Sequence, residues 1–392
     1  MQYRQLALTA LLLATFNAAV HAQTEDRPAV ASAPGKGAQA ALHDFANARP
    51  KPLPTSVAYS AEKARVDAIA AIDATPTPHK FNPSNGYVGD GVHHRVVPKS
   101  AAAGFITENS GTYGMPFTTA RADLASNDGT GIPTNVMWPY RAVGKLFFFD
   151  GKDQYQCSAA LIDRGVVATA AHCVAEYKQN RLFTNWRFIP GFRVDEREAP
   201  FGVWSVRKAY VLDSYPSGTE QCVDDAICQN DVAVLVLAPQ LDAAKKPYLP
   251  GIHTGWFSFV SGKTPFVGNG ITQVTQLGYP SCLDNGVLMQ RNDSQGVISS
   301  DDNHNNTIIG SQMCGGSSGG PWIANFGIKP TQTGATAGQY PNPNVLIGVT
   351  SWGSKNPDVK RQGASPFLTT NIDALMTSAC KEYPDACTYQ VQ

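Results

Sequence analysis

The chain has 392 residues, enough for two or three domains. Its 31 basic and 31 acidic residues give a formal net charge of zero, which excludes an electrostatic basis for binding nucleic acid or anionic membranes. Charged residues make up only 16% of the chain, whereas glycine (35) and proline (27) are plentiful, and this composition favours many short strands joined by turns.

The N-terminus has the pattern of a secretory signal peptide. Arg4 precedes an apolar run over residues 6–16, and a short cleavage region ends at Ala22. The competing interpretation is a membrane anchor, but about 11 apolar residues fall short of the roughly 20 that a helical span needs. We therefore expect residues 1–22 to be removed and the protein to be secreted, either to the extracellular space or to the periplasm.

Residues 23–130 differ in composition from the rest of the chain. They are rich in alanine and proline, contain no cysteine, and carry proline clusters such as 49–54 that discourage regular structure. One short helix is predicted between Ser60 and Pro76. We interpret the segment as a pro-region, with the mature N-terminus between about 115 and 135. A linker or a disordered stalk is the alternative interpretation.

From about Asn135 the chain changes to short apolar runs separated by turn residues. The spacing of these runs indicates an all-β barrel or sandwich of antiparallel strands. Near the end, Ile372, Leu375 and Met376 have helical spacing and predict a C-terminal helix over 370–379. The predicted strands cover residues 141–149, 157–162, 166–169, 204–212, 232–237, 270–278, 307–309 and 345–352.

Eight cysteines occur, none of them in the first 156 residues. An even number in a chain with a signal peptide suggests disulfide bonds. Zinc binding is the competing interpretation, but no Cys-x-x-Cys pair occurs, and we expect no metal site. The connectivity cannot be deduced from sequence, because eight cysteines allow many pairings. Taken in sequence order, the neighbours are Cys157 with Cys173, Cys222 with Cys228, Cys282 with Cys314, and Cys380 with Cys387.

A serine framed by glycines occurs in the sequence Gly316-Ser-Ser318-Gly-Gly-Pro321. Glycines let backbone N–H groups turn toward one point without hindrance from a Cβ atom. A nucleophilic serine needs such donors about 3 Å from the oxygen that becomes negative during acyl transfer, and the amides of Gly316 and Ser318 are the candidates. Alone, such a loop is more often a flexible turn, so a catalytic interpretation also requires a base.

His172 is the histidine whose setting best suits a catalytic base. It follows an apolar strand in a corner of small residues, directly before Cys173. A core histidine is the alternative interpretation. An imidazole accepts a serine proton best when a carboxylate fixes its tautomer. Asp231 is the candidate, because it heads the apolar run 232–237, although most acids in such positions only bind the N–H groups of a turn.

The three motifs occur together, in the order His172, Asp231, Ser318, and each strengthens the others. They resemble the corresponding segments of the chymotrypsin-like, or trypsin-like, serine peptidases over roughly residues 135–380. In the general character of its sequence, the chain is most similar to secreted bacterial members related to the glutamyl endopeptidases. The resemblance extends to residues 157–162, 321–322 and 351–353.

The resemblance implies two antiparallel six-stranded β-barrels, with the active site in the cleft between them and a C-terminal helix. It also implies that a disulfide between Cys157 and Cys173 holds the histidine corner. Ser351, Trp352 and Gly353 match the stretch that pairs with substrate as an extra strand. The predicted peptidase domain covers residues 131–392.

The resemblance further implies a mechanism. His172 takes the proton of Ser318 as the serine attacks a peptide carbonyl, and water then hydrolyses the acyl-enzyme. Ser351 is placed to hydrogen-bond the buried Asp231. We expect a monomer that acts on proteins or peptides without a cofactor, and no nucleic-acid or membrane partner.

Some positions depart from the family pattern. Ser317 replaces the aspartate that pairs with a newly freed N-terminus in animal relatives, so we expect no activation switch of that kind. Gln312 replaces the pocket-floor acid of members that cut after basic residues, and no histidine precedes Trp352 as in glutamyl-specific members. A neutral or small side chain is therefore favoured as the specificity residue. No cysteine follows Trp352 at the family's usual place, which favours a bond between Cys314 and Cys282.

Two other classes of protein compete with an enzyme. One is an inactive relative that serves as a binding protein, since this fold has been reused in that way. The other is a secreted structural or adhesive β-protein whose loops only mimic these motifs. The complete set of three residues argues against the first alternative, and the number and order of the motifs argue against the second.

Overall fold

The computed structural model describes part of the chain, including most of its C-terminal two thirds. The predicted signal peptide and the helix predicted between Ser60 and Pro76 lie outside the described residues. Within the described part, no helix is long and apolar enough to cross a membrane. The described residues are 45, 47–56, 86–87, 89–90, 109–111, 116–122, 133–194, 199–262, 271–298, 306–327, 342–356 and 358–388.

Strands dominate the described residues. In chain order they are β1 (Arg49–Pro50), β2 (Thr55–Ser56), β3 (Asn109–Gly111), β4 (Phe117–Arg121), β5 (Val143–Asp150), β6 (Asp153–Asp163), β7 (Val166–Thr169), β8 (Ala175–Glu176), β9 (Arg181–Leu182), β10 (Thr184–Pro190), β11 (Trp204–Val211), β12 (Ala233–Leu237), β13 (Gln240–Leu241), β14 (Pro247–Tyr248), β15 (Ser258–Phe259), β16 (Ile271–Gly278), β17 (Gln290–Ile298), β18 (Thr307–Gly310), β19 (Pro321–Ala324), β20 (Val345–Ser354) and β21 (Arg361–Pro366).

The first barrel is a closed ring of six antiparallel strands. Its order is β6-β5-β10-β11-β12-β7, and β7 pairs again with β6 to close the ring. All five residues of β12 are buried, as expected for a continuous apolar run inside a core. Phe148, Phe188 and Trp204 are among the largest side chains in this core.

The second barrel is also closed and antiparallel. Its order is β16-β19-β20-β21-β18-β17, and β16 pairs with β17 to complete the ring. The predicted fold, two six-stranded antiparallel barrels, is therefore confirmed. One further strand, β4, pairs with β17 from Phe117 to Arg121 although it belongs to the predicted pro-region. Phe117 and Thr119 of this strand are buried.

The α-helices of the described residues are few and short. They are α1 (Ser214–Ser217), α2 (Gly251–Thr254) and α3 (Ala374–Glu382), and single turns of 3-10 helix occur at Thr134–Val136, Tyr140–Ala142, Ala171–Cys173, Asp284–Gly286 and Pro384–Ala386. The predicted C-terminal helix is confirmed, but its first residues, Thr369–Asp373, form a π-helical turn before α3 begins. The side chain of Asn371 accepts the N–H of Leu368 at 2.7 Å and so closes this turn. Helix α3 packs its apolar side against β11 and β12.

Four disulfide bonds each join one cysteine to the next cysteine along the chain. Cys157–Cys173 closes a loop of 16 residues at the first barrel, and Cys282–Cys314 closes one of 32 residues at the second. A bridge across a 16-residue loop stabilises a fold by about 3 kcal/mol in the chain-entropy model. The other two bonds are Cys222–Cys228 and Cys380–Cys387.

Candidate active site

The imidazole of His172 lies at the end of β7, where the chain turns out of the first barrel. Ala171–Cys173 forms one turn of 3-10 helix, and the bond from Cys173 to Cys157 ties that turn to β6. The alanines before His172 are fully buried and leave room for the ring close to the barrel wall. His172 itself is only 4% exposed.

Asp231 lies just before β12 and is also buried. One carboxylate oxygen accepts the backbone N–H of His172 at 2.8 Å, and the other lies 2.8 Å from His172 Nδ1. That second oxygen also accepts the hydroxyl of Ser351 at 2.6 Å. Because a carboxylate only accepts, His172 must carry its proton on Nδ1, and this leaves Nε2 as the basic nitrogen.

Burial shapes the electrostatics around this carboxylate. Tyr215 is buried nearby, and desolvation raises the pKa of its phenol well above the usual value. The negative charge of Asp231 raises that pKa further. Tyr215 therefore stays neutral at physiological pH.

Ser318 lies in the loop between β18 and β19. Its carbonyl accepts the N–H of Ser158 at 2.8 Å, next to the Cys157 bridge, and the N–H of Gly319 donates to Thr350 at 2.8 Å, next to Ser351. Two short bonds thus hold the serine loop to β6, which the Cys157–Cys173 bridge ties to the His172 turn, and to β20, whose Ser351 donates to Asp231. The hydroxyl of Ser318 and Nε2 of His172 have no hydrogen-bond partner among the described residues, so the bond between them is not formed in this structure.

Two glycines of the serine loop adopt backbone conformations that other residues rarely take. Gly316 has φ +96°, and a Cβ there would lie 2.6 Å from the carbonyl oxygen of Tyr279. Gly319 has φ +74°, and a Cβ there would lie 2.0 Å from the hydroxyl of Thr169. The loop geometry therefore requires glycine at both positions.

The chain's own segment 49–56 lies across this site. The N–H of Gly316, a predicted oxyanion donor, donates to the carbonyl of Lys51 at 3.2 Å. The N–H of Lys51 donates to Gln156 at 2.8 Å, and the N–H of Gly353 donates to Pro54 at 2.9 Å. Strand β1 pairs with β6, and β2 pairs with β20, both in parallel orientation. Gly353, at the end of the predicted substrate-pairing stretch, is therefore already paired within the chain. Ser318 is 0% exposed.

The remaining predicted substrate residues have structural partners. Trp352 is fully buried, and its indole donates to Asn306 at 3.1 Å. Gln312 is half-buried, and its backbone N–H donates to the hydroxyl of Thr119 in β4 at 3.2 Å. Strand β4 thus holds the segment that leads into the serine loop.

Two buried glutamines, absent from the sequence prediction, support the same loop. Gln276 donates to Gln362 at 2.6 Å, and Gln362 donates to the carbonyl of Met313 at 3.0 Å. Gln362 also lies 3.3 Å from the hydroxyl of Ser317, which donates to the carbonyl of Cys314 at 2.7 Å. Ser317 is thus held by neutral hydrogen bonds. No local pattern distinguishes these glutamines in the sequence, because their partners come from distant strands.

The trypsin family model matches residues 136–374, which is more than half of the chain. The three candidate catalytic residues lie within that range. The chain belongs to the trypsin family of serine peptidases. It is therefore a serine endopeptidase that acts on proteins or peptides. No curated protein matches the chain.

Several solved structures are similar to this member of the trypsin family. The protease Anisep from Arthrobacter nicotinovorans is 22% identical, with 62% of this chain and 96% of that chain covered and a TM-score of 0.45. A thermostable serine protease from an extremophilic microorganism is 19% identical, with 64% and 98% covered and a TM-score of 0.46. A Glu endopeptidase in complex with MPD is 17% identical, with 62% and 91% covered and a TM-score of 0.43.

Proposed function

We propose that this peptidase is secreted and cuts peptide bonds with Ser318 as nucleophile, His172 as general base and Asp231 as the orienting acid. The observation that carries the proposal is the buried Asp231 carboxylate, which accepts the backbone N–H of His172 and the hydroxyl of Ser351 and lies 2.8 Å from Nδ1. A ring held in this way presents Nε2 as the base, and a positioned carboxylate also stabilises the imidazolium that forms.

The reaction follows from these groups. His172 Nε2 takes the proton of Ser318 while Oγ attacks the peptide carbonyl carbon, and the oxygen that becomes negative is held by the amides of Gly316 and Ser318. His172 then gives its proton to the leaving amine, and the C–N bond breaks to leave an ester on Ser318. Water, deprotonated by His172, attacks the ester carbon, the C–O bond to Ser318 breaks, and His172 returns the proton to Oγ as the acid leaves. The residues of the chain supply every proton transfer, so no cofactor is required.

We further propose that residues 23–130 are a pro-region that blocks this site until it is removed. The support is the segment 49–56, which accepts the N–H of Gly316, a predicted oxyanion donor, and pairs with β6 and with β20. The four disulfide bonds favour an oxidising compartment, in agreement with export after removal of residues 1–22. The protein functions as a monomer in this proposal.

Labelling with a fluorophosphonate tests the proposed nucleophile. Protein recovered from culture fluid should be labelled on Ser318 and should hydrolyse unfolded proteins, and Ser318→Ala should lose both properties. Ser378→Ala is the matched control, since Ser378 is exposed on helix α3. An unlabelled, inactive protein that folds normally would contradict the proposal and favour a binding role for the fold.

A further inference from the structure

The side chain of Lys51 lies in a site at the edge of the cleft. It is only 13% exposed, and its Nζ lies 3.3 Å from a carboxylate oxygen of Glu176 and 4.0 Å from one of Asp150. The ammonium is also 4.4 Å from the ring centre of Phe183 and 5.0 Å from that of Tyr155. Two carboxylates and two aromatic rings around one ammonium are the surroundings that favour a cation. We call Asp150, Tyr155, Glu176 and Phe183 the lysine site.

The charges of the lysine site balance only when a cation fills it. Arg181 binds Asp150 and lies 3.6 Å from Glu176, so one of the two negative charges is already compensated. Lys51 compensates the other. Burial lowers the pKa of Lys51, and the charge of Glu176 partly offsets that effect. Once Lys51 leaves, the site keeps a net charge of about −1 next to two apolar rings, which is the complement of a lysine side chain.

The lysine site is a fixed part of the cleft. Glu176 lies in β8, four residues after His172, and Tyr155 and Asp150 lie in the β5–β6 hairpin. The carbonyl of Gln156, next to Tyr155, accepts the backbone N–H of Lys51 at 2.8 Å. The carbonyl of Lys51 accepts the N–H of Gly316. The backbone of Lys51 is thus held between β6 and the serine loop, while its side chain turns into the lysine site.

The position of the site relative to Ser318 indicates which part of a substrate it meets. Residues 54–56 lie along Gly353 and Ser354 on one side of the serine loop, whereas Lys51 lies along Gln156 on the other side. A substrate strand that pairs with Ser351–Gly353 and crosses Ser318 therefore continues toward the lysine site.

We propose that the lysine site is a substrate subsite for a lysine or another cationic side chain. It acts on the side of the scissile bond away from the residues that pair with Ser351–Gly353, and Lys51 fills it in the full-length chain as a stand-in for substrate. This inference rests on the proposed function, because it assigns a specificity to the same cleft.

The full-length chain tests whether Lys51 fills the lysine site and thereby holds its segment over the cleft. Lys51→Met and Glu176→Gln should each raise the rate at which a fluorophosphonate labels Ser318, by about tenfold, and the double variant should add little to either single change because both remove one interaction. Lys178→Met is the matched control, since Lys178 pairs with Asp225 at the surface. Equal labelling rates in the wild type, Lys51→Met and Glu176→Gln would overturn the proposal.

Cleavage of a peptide mixture tests whether the lysine site is a substrate subsite. The active enzyme from culture fluid should favour lysine at one position, on the side of the cut away from the residues that pair with Ser351–Gly353. The ratio of kcat/KM for such a peptide to that for its methionine counterpart should fall about tenfold in Glu176→Gln. An unchanged ratio, or no preference for lysine in the wild type, would overturn the subsite while hydrolysis continues. Failure of the proposed function is distinguishable, because labelling and hydrolysis would then be absent from every form.

Discussion

The buried carboxylate of Asp231 accepts the backbone N–H of His172 and the hydroxyl of Ser351, and it lies 2.8 Å from His172 Nδ1. Each contact opposes rotation of the carboxylate, and the last one fixes the tautomer of the ring. The amide that replaces a carboxylate in an Asp→Asn change can donate to Nδ1, which would place the proton on Nε2 and remove the base.

Asp231→Asn should therefore lower kcat for peptide hydrolysis by about four orders of magnitude, because the imidazole is then held in the wrong tautomer. The near-ultraviolet circular dichroism of the variant should match the wild type, because the side chains are nearly equal in size. Activity within tenfold of the wild type would show that His172 does not depend on this carboxylate.

The buried amide of Gln362 holds the serine loop through hydrogen bonds to Met313 and Ser317. Gln362→Leu removes its hydrogen bonds to Met313 and Gln276 and leaves buried polar groups without partners. The free energy of unfolding should fall by about 2–3 kcal/mol. Denaturant unfolding in a Ser318→Ala background, which prevents self-digestion, measures the change. Gln179→Leu, at an exposed position, is the control, and an equal effect of both changes would contradict the role of Gln362.

The sequence predicted the candidate catalytic residues because each belongs to a local pattern. Ser318 is framed by glycines, Asp231 heads an apolar strand, and His172 stands before a cysteine. Gln362 has no such signal, since its partners lie at least 45 residues away in the chain. Lys51 was part of a proline cluster that suggested irregular structure, and nothing local indicated its contact with Glu176, 125 residues away.

Among the strands, those with continuous apolar runs were the easiest to predict. Strand β12 was predicted as 232–237 and begins one residue later, at Ala233. The prediction succeeded because a strand that is buried on both faces has a continuous apolar sequence. Strand β17, with the sequence QRNDSQGVI, was missed because polar side chains dominate it. Its buried Asn292 is satisfied by Thr119 and by the carbonyl of Gly310, contacts that only the folded sheet provides.

Strand β4, which pairs with β17, is also linked to the second barrel by a partly buried ion pair. Arg121 donates to Asp284 through Nε at 2.7 Å and also through Nη2. Burial acts to raise the pKa of Asp284, but the hydrogen bonds from Arg121 and Gln290 and the charge of Arg121 hold that pKa below its usual value. Stability from a carboxyl with a lowered pKa is present above the ordinary value and is lost as the pH falls through the lowered one.

Asp284→Asn should therefore reduce the free energy of unfolding by about 1 kcal/mol at pH 6, a modest figure because the pair is partly exposed. The difference from the wild type should begin to shrink as the pH falls below about 4, where the carboxyl of the unfolded chain takes up its proton. It should vanish only below the lowered pKa of the folded protein. Denaturant unfolding of Ser318→Ala proteins at several pH values provides the measurement. A constant difference, or one matched by the exposed control Asp358→Asn, would contradict this account.

At the scale of the whole molecule, two barrels meet so that His172 and Asp231 come from the first and Ser318 and Ser351 from the second. The fold class was predictable from strand spacing and family resemblance together, because both signals are read over long stretches of the chain. The return of residues 49–56 to the cleft was not predictable, since it depends on pairing with β6 and β20 about 100 and 300 residues later. The pro-region remains a prediction that these contacts support.

The proposed mechanism depends on an acyl-enzyme formed at Ser318. A bulky ester such as p-nitrophenyl trimethylacetate, which acylates the enzyme faster than the acyl-enzyme hydrolyses, makes this intermediate accumulate. Enzyme from culture fluid should release a burst of about one p-nitrophenol per active molecule, and peptide mapping after acid quenching should place the acyl group on Ser318. Ser318→Ala should show neither. An active enzyme that carries the acyl group on another residue would show that Ser318 is not the nucleophile.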